Sequence, residues 1–119
     1  GIPAEICSLS QLEKLYLNSN KLTGVIPADI GNLSQLKLLN LSWNKLSGEL
    51  PAEIGNLSQL KTLNLRSNTK VKIPAEIGKL SQLTVLDLSS SKITGVIPTE
   101  ICYLSQLEVL DLRSNELTG

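Results

Sequence analysis

Residues 26–49 read IPADIGNLSQLKLLNLSWNKLSGE, and the rest of the chain is that stretch again. Alignment on the pairs Ile2-Pro3, Ile26-Pro27, Leu50-Pro51, Ile73-Pro74 and Ile97-Pro98 gives successive spacings of 24, 24, 23 and 24 residues. The tetrapeptide Leu-Ser-Gln-Leu recurs in every copy, starting at Leu9, Leu33, Leu57, Leu80 and Leu104. One copy is too short to bury its own leucines, whereas stacked copies bury them against each other, so the period predicts a solenoid. The copies run 2–25, 26–49, 50–72, 73–96 and 97–119 and make one domain.

Within a copy the apolar period changes. Leu39 and Leu41 alternate with Leu38, Asn40 and Ser42, which is strand spacing: two leucines inward, the other three outward. A turn asparagine recurs at Asn20, Asn44, Asn68 and Asn115. Its amide has two donors and one acceptor, enough to serve backbone groups of its own and the neighbouring coil. Ile26-Pro27-Ala28-Asp29-Ile30-Gly31 predicts one helical turn, 3₁₀ for want of residues, with proline at its start, an acid near its N-terminus and glycine closing it.

The run Leu36-x-x-Leu39-x-Leu41-x-x-Asn44-x-Leu46, continued by Gly48-x-Leu50-Pro51-x-x-Ile54-Gly55, resembles the plant-type leucine-rich repeat, and the resemblance covers the whole chain. It implies a leucine-rich-repeat solenoid with a parallel β-sheet on the concave face and short 3₁₀ turns on the other side. There would be five coils and no capping modules. The family it resembles includes receptor-like kinase ectodomains and polygalacturonase inhibitors. That implies a protein or peptide ligand and an extracellular or cell-surface setting.

The bulk composition excludes other classes. Lysine plus arginine number 11 and aspartate plus glutamate 11, and only three residues are aromatic, so nothing favours nucleic acid. No apolar run approaches the ~18 residues of a membrane span. There is no histidine, hence no histidine triad, base or metal site. The glycines recur singly, without a phosphate loop. The acids Glu5, Asp29, Glu53, Glu76 and Glu100 form a ladder, one per coil, simpler as solvated first turns than as a calcium site. We read the chain as non-catalytic and without a cofactor.

The candidate binding residues lie on the concave side. Lys14, Tyr16 and Asn18 come from copy one; Leu38, Asn40 and Ser42 come from copy two, with Trp43 at the rim. Asn64, Arg66, Asp87, Asp111 and Arg113 continue the same positions along the later copies. Tyr16 and Trp43 are the aromatics near this face, and such residues are common energetic centres of interfaces. The plainer reading is that they are scattered surface aromatics. Along the face Lys14, Lys37, Lys61 and Arg66 give way to Asp87, Glu108 and Asp111, relieved by Arg113, a change of sign suited to head-to-tail association or a dipolar ligand; the plainer reading is a solvated mixed surface.

The remaining features concern self-association and modification. Cys7 and Cys102 occupy the slot of Gly31, Gly55 and Gly78, four coils apart, about 19 Å at ~4.8 Å per strand. That is too far for an internal disulfide. They are either free thiols at a small-residue slot or partners across a head-to-tail joint. The in-phase ends and the apolar end copies suit such a joint, so the alternative to ligand binding is a self-stacking filament. Asn32, Asn40 and Asn56 begin Asn-Leu-Ser sequons, which the repeat consensus itself supplies and which a secretory route would expose to glycosylation. The hydroxyl ladders Ser19, Ser67, Ser90, Ser114 and Thr23, Ser47, Thr94, Thr118, as an ice-binding surface would need, are interrupted by Trp43 and by copy three. Copy three is one residue short after Asn68, so Lys70 takes the leucine slot unless the loop shifts to seat Val71. Copy four has Ser91 for the turn asparagine, and a local bulge or kink is expected near 69–73 and 91.

Overall fold

Each repeat folds into one coil of similar build: a 3₁₀ turn, a three-residue strand, a tight turn and a two-residue strand on the flank, of which the second repeat has two. The computed structural model describes residues 1–118; Gly119, the last residue of the fifth copy, lies outside them. The concave strands are Lys14–Tyr16, Leu38–Asn40, Thr62–Asn64, Val85–Asp87 and Val109–Asp111, joined in that order into a five-stranded parallel sheet. The register is strict, with Leu15, Leu39, Leu63, Leu86 and Leu110 opposite one another. The three inner leucines of this column are fully buried, while Leu110 of the last strand is 40% exposed. Burying one such leucine stabilises by about 1.5–3 kcal/mol, so the stacked columns carry the fold.

The turn asparagines behave as their chemistry requires. Asn44 Nδ2 donates to the carbonyls of Leu41 in its own coil and Leu17 in the coil before, and its Oδ1 accepts from the N–H groups of Asn20 and Leu22. Asn115 repeats the arrangement three coils on, and Asn68 repeats it one coil on with its Oδ1 accepting from Leu46. The Asn20 side chain, in the first described coil, donates to the carbonyls of Leu17 and Asn18 and makes no bond to another coil among the described residues.

The five 3₁₀ turns are Ala4–Ser8, Ala28–Asn32, Ala52–Asn56, Ala75–Lys79 and Thr99–Tyr103. Two expectations about them are corrected. Proline stands just before each turn in extended conformation, and its carbonyl accepts the N–H of the isoleucine three residues on. Glycine does not close the turn but lies inside it, and it is selected by the coil that follows. A Cβ on Gly31 would lie 2.9 Å from the Glu53 carbonyl oxygen; on Gly55, 3.0 Å from that of Glu76; on Gly78, 2.8 Å from that of Glu100.

Copy three resolves its missing residue locally. Lys70 turns into the left-handed region at φ 57° and stays exposed, and Val71 is seated in the core. Val71 and Lys72 then pair with Gly48 and Glu49, so register is regained before Ile73. The expected local bulge or kink is thus a bend at Lys70, and it leaves the concave sheet intact, since Thr62–Asn64 still pairs fully with Val85–Asp87. The irregularity is confined to the flank. Ser91 is fully buried and its hydroxyl donates to the Leu65 carbonyl at 2.6 Å, replacing half of what an asparagine does.

Candidate functional site

The concave sheet presents two outward columns, Lys14, Leu38, Thr62, Val85, Val109 and Tyr16, Asn40, Asn64, Asp87, Asp111, each residue beside its counterpart in the next strand. Of the candidate residues, Lys14, Tyr16, Leu38, Asn40, Asn64, Asp87 and Asp111 are therefore brought onto one surface. Trp43, Arg66 and Arg113 lie just past the strand ends.

The second column does more than face solvent. Asn40 Oδ1 accepts the Ser42 N–H at 3.1 Å and its hydroxyl at 2.6 Å, and Asp87 Oδ1 does the same for Ser89 at 3.0 and 2.6 Å. Asn64 Oδ1 accepts the Arg66 N–H, and Asp111 Oδ1 the Arg113 N–H. These side chains cap the end of each strand in an Asx turn. Ser42 is consequently buried, not displayed on the concave face as strand alternation implies. What Asn40 and Asn64 leave for a ligand is the amide NH₂; Asp87 leaves its second carboxylate oxygen.

Charge along the face is partly cancelled. Lys37 pairs with Glu13 at 3.1 Å. Arg113 grips Asp111 through two contacts, Nε to Oδ1 at 3.0 Å and the terminal nitrogen to Oδ2 at 2.7 Å. These hydrogen bonds hold the Asp111 carboxyl down at about 2 and raise the pKa of Arg113. Lys14, Asp87 and Glu108 keep the expected gradient in weaker form.

Trp43 is the unusual residue. Every coil places the residue before its turn asparagine, or before Ser91, in the left-handed region: Ser19 at φ 61°, Trp43 at 57°, Ser67 at 58°, Ser90 at 53° and Ser114 at 59°. Four of the five are serine. A bulky side chain is rare in this conformation, yet Trp43 holds it with 58% of its surface exposed. The Arg66 guanidinium of the next coil lies over its ring, 5.9 Å from the centroid, and Arg66 Nε is buried without a hydrogen-bond partner among the described residues. Tyr16 is likewise exposed, one coil earlier. The Trp43–Arg66 contact could have been found by asking which residues one repeat apart share a rim.

The other candidates separate. Asn32 and Asn56 end their 3₁₀ turns and are exposed, whereas Asn40 is half-buried with its oxygen engaged. Cys7 is buried and Cys102 exposed, both free. Burial, then the nearby Asp29 carboxylate, pushes the Cys7 thiol pKa up. Tyr103 stands exposed on the 3₁₀ side. Among the described residues no three acids or cysteines converge as metal ligands, and no helix is long and apolar enough to cross a membrane.

The leucine-rich repeat region model matches residues 15–118. No curated protein matches the chain by sequence. Among solved structures, the plant peptide hormone receptor RGFR1 in complex with RGF2 superimposes with a TM-score of 0.92 at 37% identity, over 99% of this chain and 19% of that one. The LRR ectodomain of the membrane receptor kinase GASSHO1/SCHENGEN3 from Arabidopsis thaliana, in complex with CASPARIAN STRIP INTEGRITY FACTOR 2, gives 0.93 at 38% identity over 99% and 14%. The Arabidopsis receptor kinase HAESA, in complex with the peptide hormone IDA and the co-receptor SERK1, gives 0.89 at 42% over 98% and 20%. The chain thus spans a fifth or less of the length of these three.

Proposed function

The chain belongs to the leucine-rich repeat family, and on that premise we propose that it is a non-catalytic recognition segment of a longer receptor-like or inhibitor-like protein. It binds an extended protein or peptide across its concave face. The solved relatives named above are plant receptors, one of them an LRR ectodomain and one of them in complex with a peptide hormone, which supports an extracellular or cell-surface setting. The observation that carries the reading is Trp43. The four equivalent positions hold serine, and tryptophan is kept exposed in a backbone conformation that disfavours it. Such retained strain points to use. Arg66 on its ring supplies a cation with an unpartnered Nε, and the Asn40 and Asn64 amides supply donors along the same line. The ligand would lie across the strands, anchored by Trp43, Tyr16 and Arg66, with Lys14, Leu38, Asp87, Asp111 and Arg113 setting its orientation.

Head-to-tail stacking through Cys7 and Cys102 has no comparable support: Cys7 is buried, and the solved relatives named above are receptors in complex with other molecules. The test is selection of binders from a displayed dodecapeptide library, followed by affinity measurement on Trp43→Ala and Arg66→Ala. Selected peptides should lose at least tenfold in affinity on both variants. Binders that ignore both substitutions would overturn the concave-face reading.

A further inference from the structure

The flank of the solenoid carries its own ladder of short strands, and the ladder has one break. Thr23–Gly24 pairs with Lys45–Leu46, Gly48–Glu49 with Val71–Lys72, and Thr94–Gly95 with Glu116–Leu117. Between Val71–Lys72 of coil three and Thr94–Gly95 of coil four there is no pairing. The missing residue of copy three is the cause, since it draws this segment toward coil two. A cleft of about 520 Å³ opens there, within the range of about 300–1,000 Å³ typical of ligand sites. Val71, Ile73, Ile93 and Ile97 give it an apolar lining, and Val96 stands at its rim, 70% exposed.

Backbone groups face the same space. The carbonyls of Ile93 and Gly95 accept from Glu116 and Thr118 in coil five. Adjacent residues of a strand point their backbone groups to opposite sides, so those of Thr94 point toward coil three. On the other wall the carbonyls of Lys70 and Lys72 accept from Gly48 and Leu50, which turns Val71 and Ile73 toward coil four. Only the Val71 N–H is used there, by the Ser91 carbonyl at 3.2 Å. Among the described residues the Val71 carbonyl, the Ile73 N–H and the groups of Thr94 have no backbone partner across the gap. Charge is one-sided: Lys72 is paired with Glu49 at 3.6 Å, whereas Lys70 has no acid within ion-pair distance among the described residues.

We propose that this cleft docks an extended peptide segment in which a branched aliphatic residue is flanked by an acid. The aliphatic side chain fills the cleft, the peptide backbone bonds to the free groups of Thr94, Val71 and Ile73 as an added strand, and the carboxylate meets Lys70. Apolar walls alone would suit a lipid tail equally well. Unpaired backbone donors and acceptors beside a lone cation suit an extended acidic peptide better. The site lies on the flank, and the inference stands independently of the concave-face reading.

The test is an NMR titration of the full chain with three acetylated, amidated hexapeptides: Thr-Glu-Ile-Thr-Val-Thr, the same with asparagine for isoleucine, and the same with lysine for glutamate. The first should give saturable shifts confined to Val71, Ile73, Ile93, Thr94 and Val96. The asparagine probe should bind at least tenfold more weakly and the lysine probe several-fold more weakly. Val96→Glu should weaken the first probe at least tenfold without changing the far-ultraviolet spectrum. Lys70→Glu should reverse the preference between the glutamate and lysine probes, which a purely structural role for Lys70 would not do. Trp43→Ala should leave all of this unchanged, so failure on the concave face and failure here are separable. The absence of saturable cleft shifts with all three probes at millimolar concentration overturns the proposal. So do cleft shifts produced by phosphocholine micelles and not by peptide, or shifts that follow protein concentration without probe, as a second copy in the cleft would give.

Discussion

The Asn44 carboxamide oxygen accepts the backbone N–H of Leu22, one coil earlier, at 2.9 Å, while the same amide donates to the Leu17 carbonyl at 2.9 Å. A single side chain thus closes the turn of one coil and ties it to the coil before. Because it is buried, removing it strands several backbone groups without water.

Asn44→Ala should therefore destabilise by about 3 kcal/mol, at the upper end of the cost of leaving buried partners unsatisfied. Asn20→Ala, at an exposed site whose side chain bonds only within its own coil among the described residues, should cost under about 1 kcal/mol. Urea unfolding of the two variants checks the difference. Equal losses would show that the inter-coil bonds contribute nothing beyond the local turn.

Gly24 and Gly55 are glycine for different physical reasons. Gly24 has φ 78° and nothing within 4 Å of where a Cβ would stand, so Gly24→Ala incurs only the left-handed cost, about 1 kcal/mol. A Cβ on Gly55 would meet the Glu76 carbonyl at 3.0 Å, with no positive φ involved. Gly55→Ala should cost about 1–3 kcal/mol by overpacking, and the two alanines together should be additive, since the causes are independent. Thermal unfolding measures both.

Ser91 and the short loop of coil three should be coupled. Ser91→Asn alone places a larger amide in a filled site whose carbonyl already holds Val71, and should cost about 1–3 kcal/mol. Inserting a glycine after Lys70 as well should recover part of that loss. The double-mutant cycle should return a favourable interaction of about 0.5–3 kcal/mol. A cycle near zero would mean that the two irregularities are unrelated.

Asp111 should titrate at about 2 by carbon NMR, held there chiefly by the Arg113 side chain. In Arg113→Ala it should rise toward the ordinary aspartate value of about 3.9, stopping short because the residue 113 N–H still donates. The sign follows: a depressed carboxyl stabilises the fold above about pH 4 and loses that contribution as pH falls toward 2. Wild type and Arg113→Ala should converge in stability at the acid end.

Trp43→Ser installs the residue found at the four equivalent positions. Relief of left-handed strain opposes loss of the Arg66 contact, itself about 0.5–1 kcal/mol at an exposed site. Stability should change by less than about 1 kcal/mol while peptide binding falls at least tenfold. A large stability loss with binding intact would make Trp43 structural.

Much of this was legible from residues 26–49 alone. A leucine column, an asparagine with both donor and acceptor, and a fixed period admit one solution in which every copy buries its apolar side against the next. The concave positions followed from the same alternation, so Tyr16, Asn40, Asn64, Asp87 and Asp111 fall where the spacing put them. The exceptions share one cause: they depend on what lies beyond the local pattern, most of them a whole repeat away. Gly31, Gly55 and Gly78 answer to the next coil's backbone, Ser42 to the Asn40 side chain that captures it, and Trp43 to Arg66. The short third copy posed a choice between Lys70 and Val71 for one buried site. Either kept the pattern on paper. Burying an ammonium costs far more than one left-handed lysine, so the chain bent at Lys70, seated Val71 and left the flank open between coils three and four.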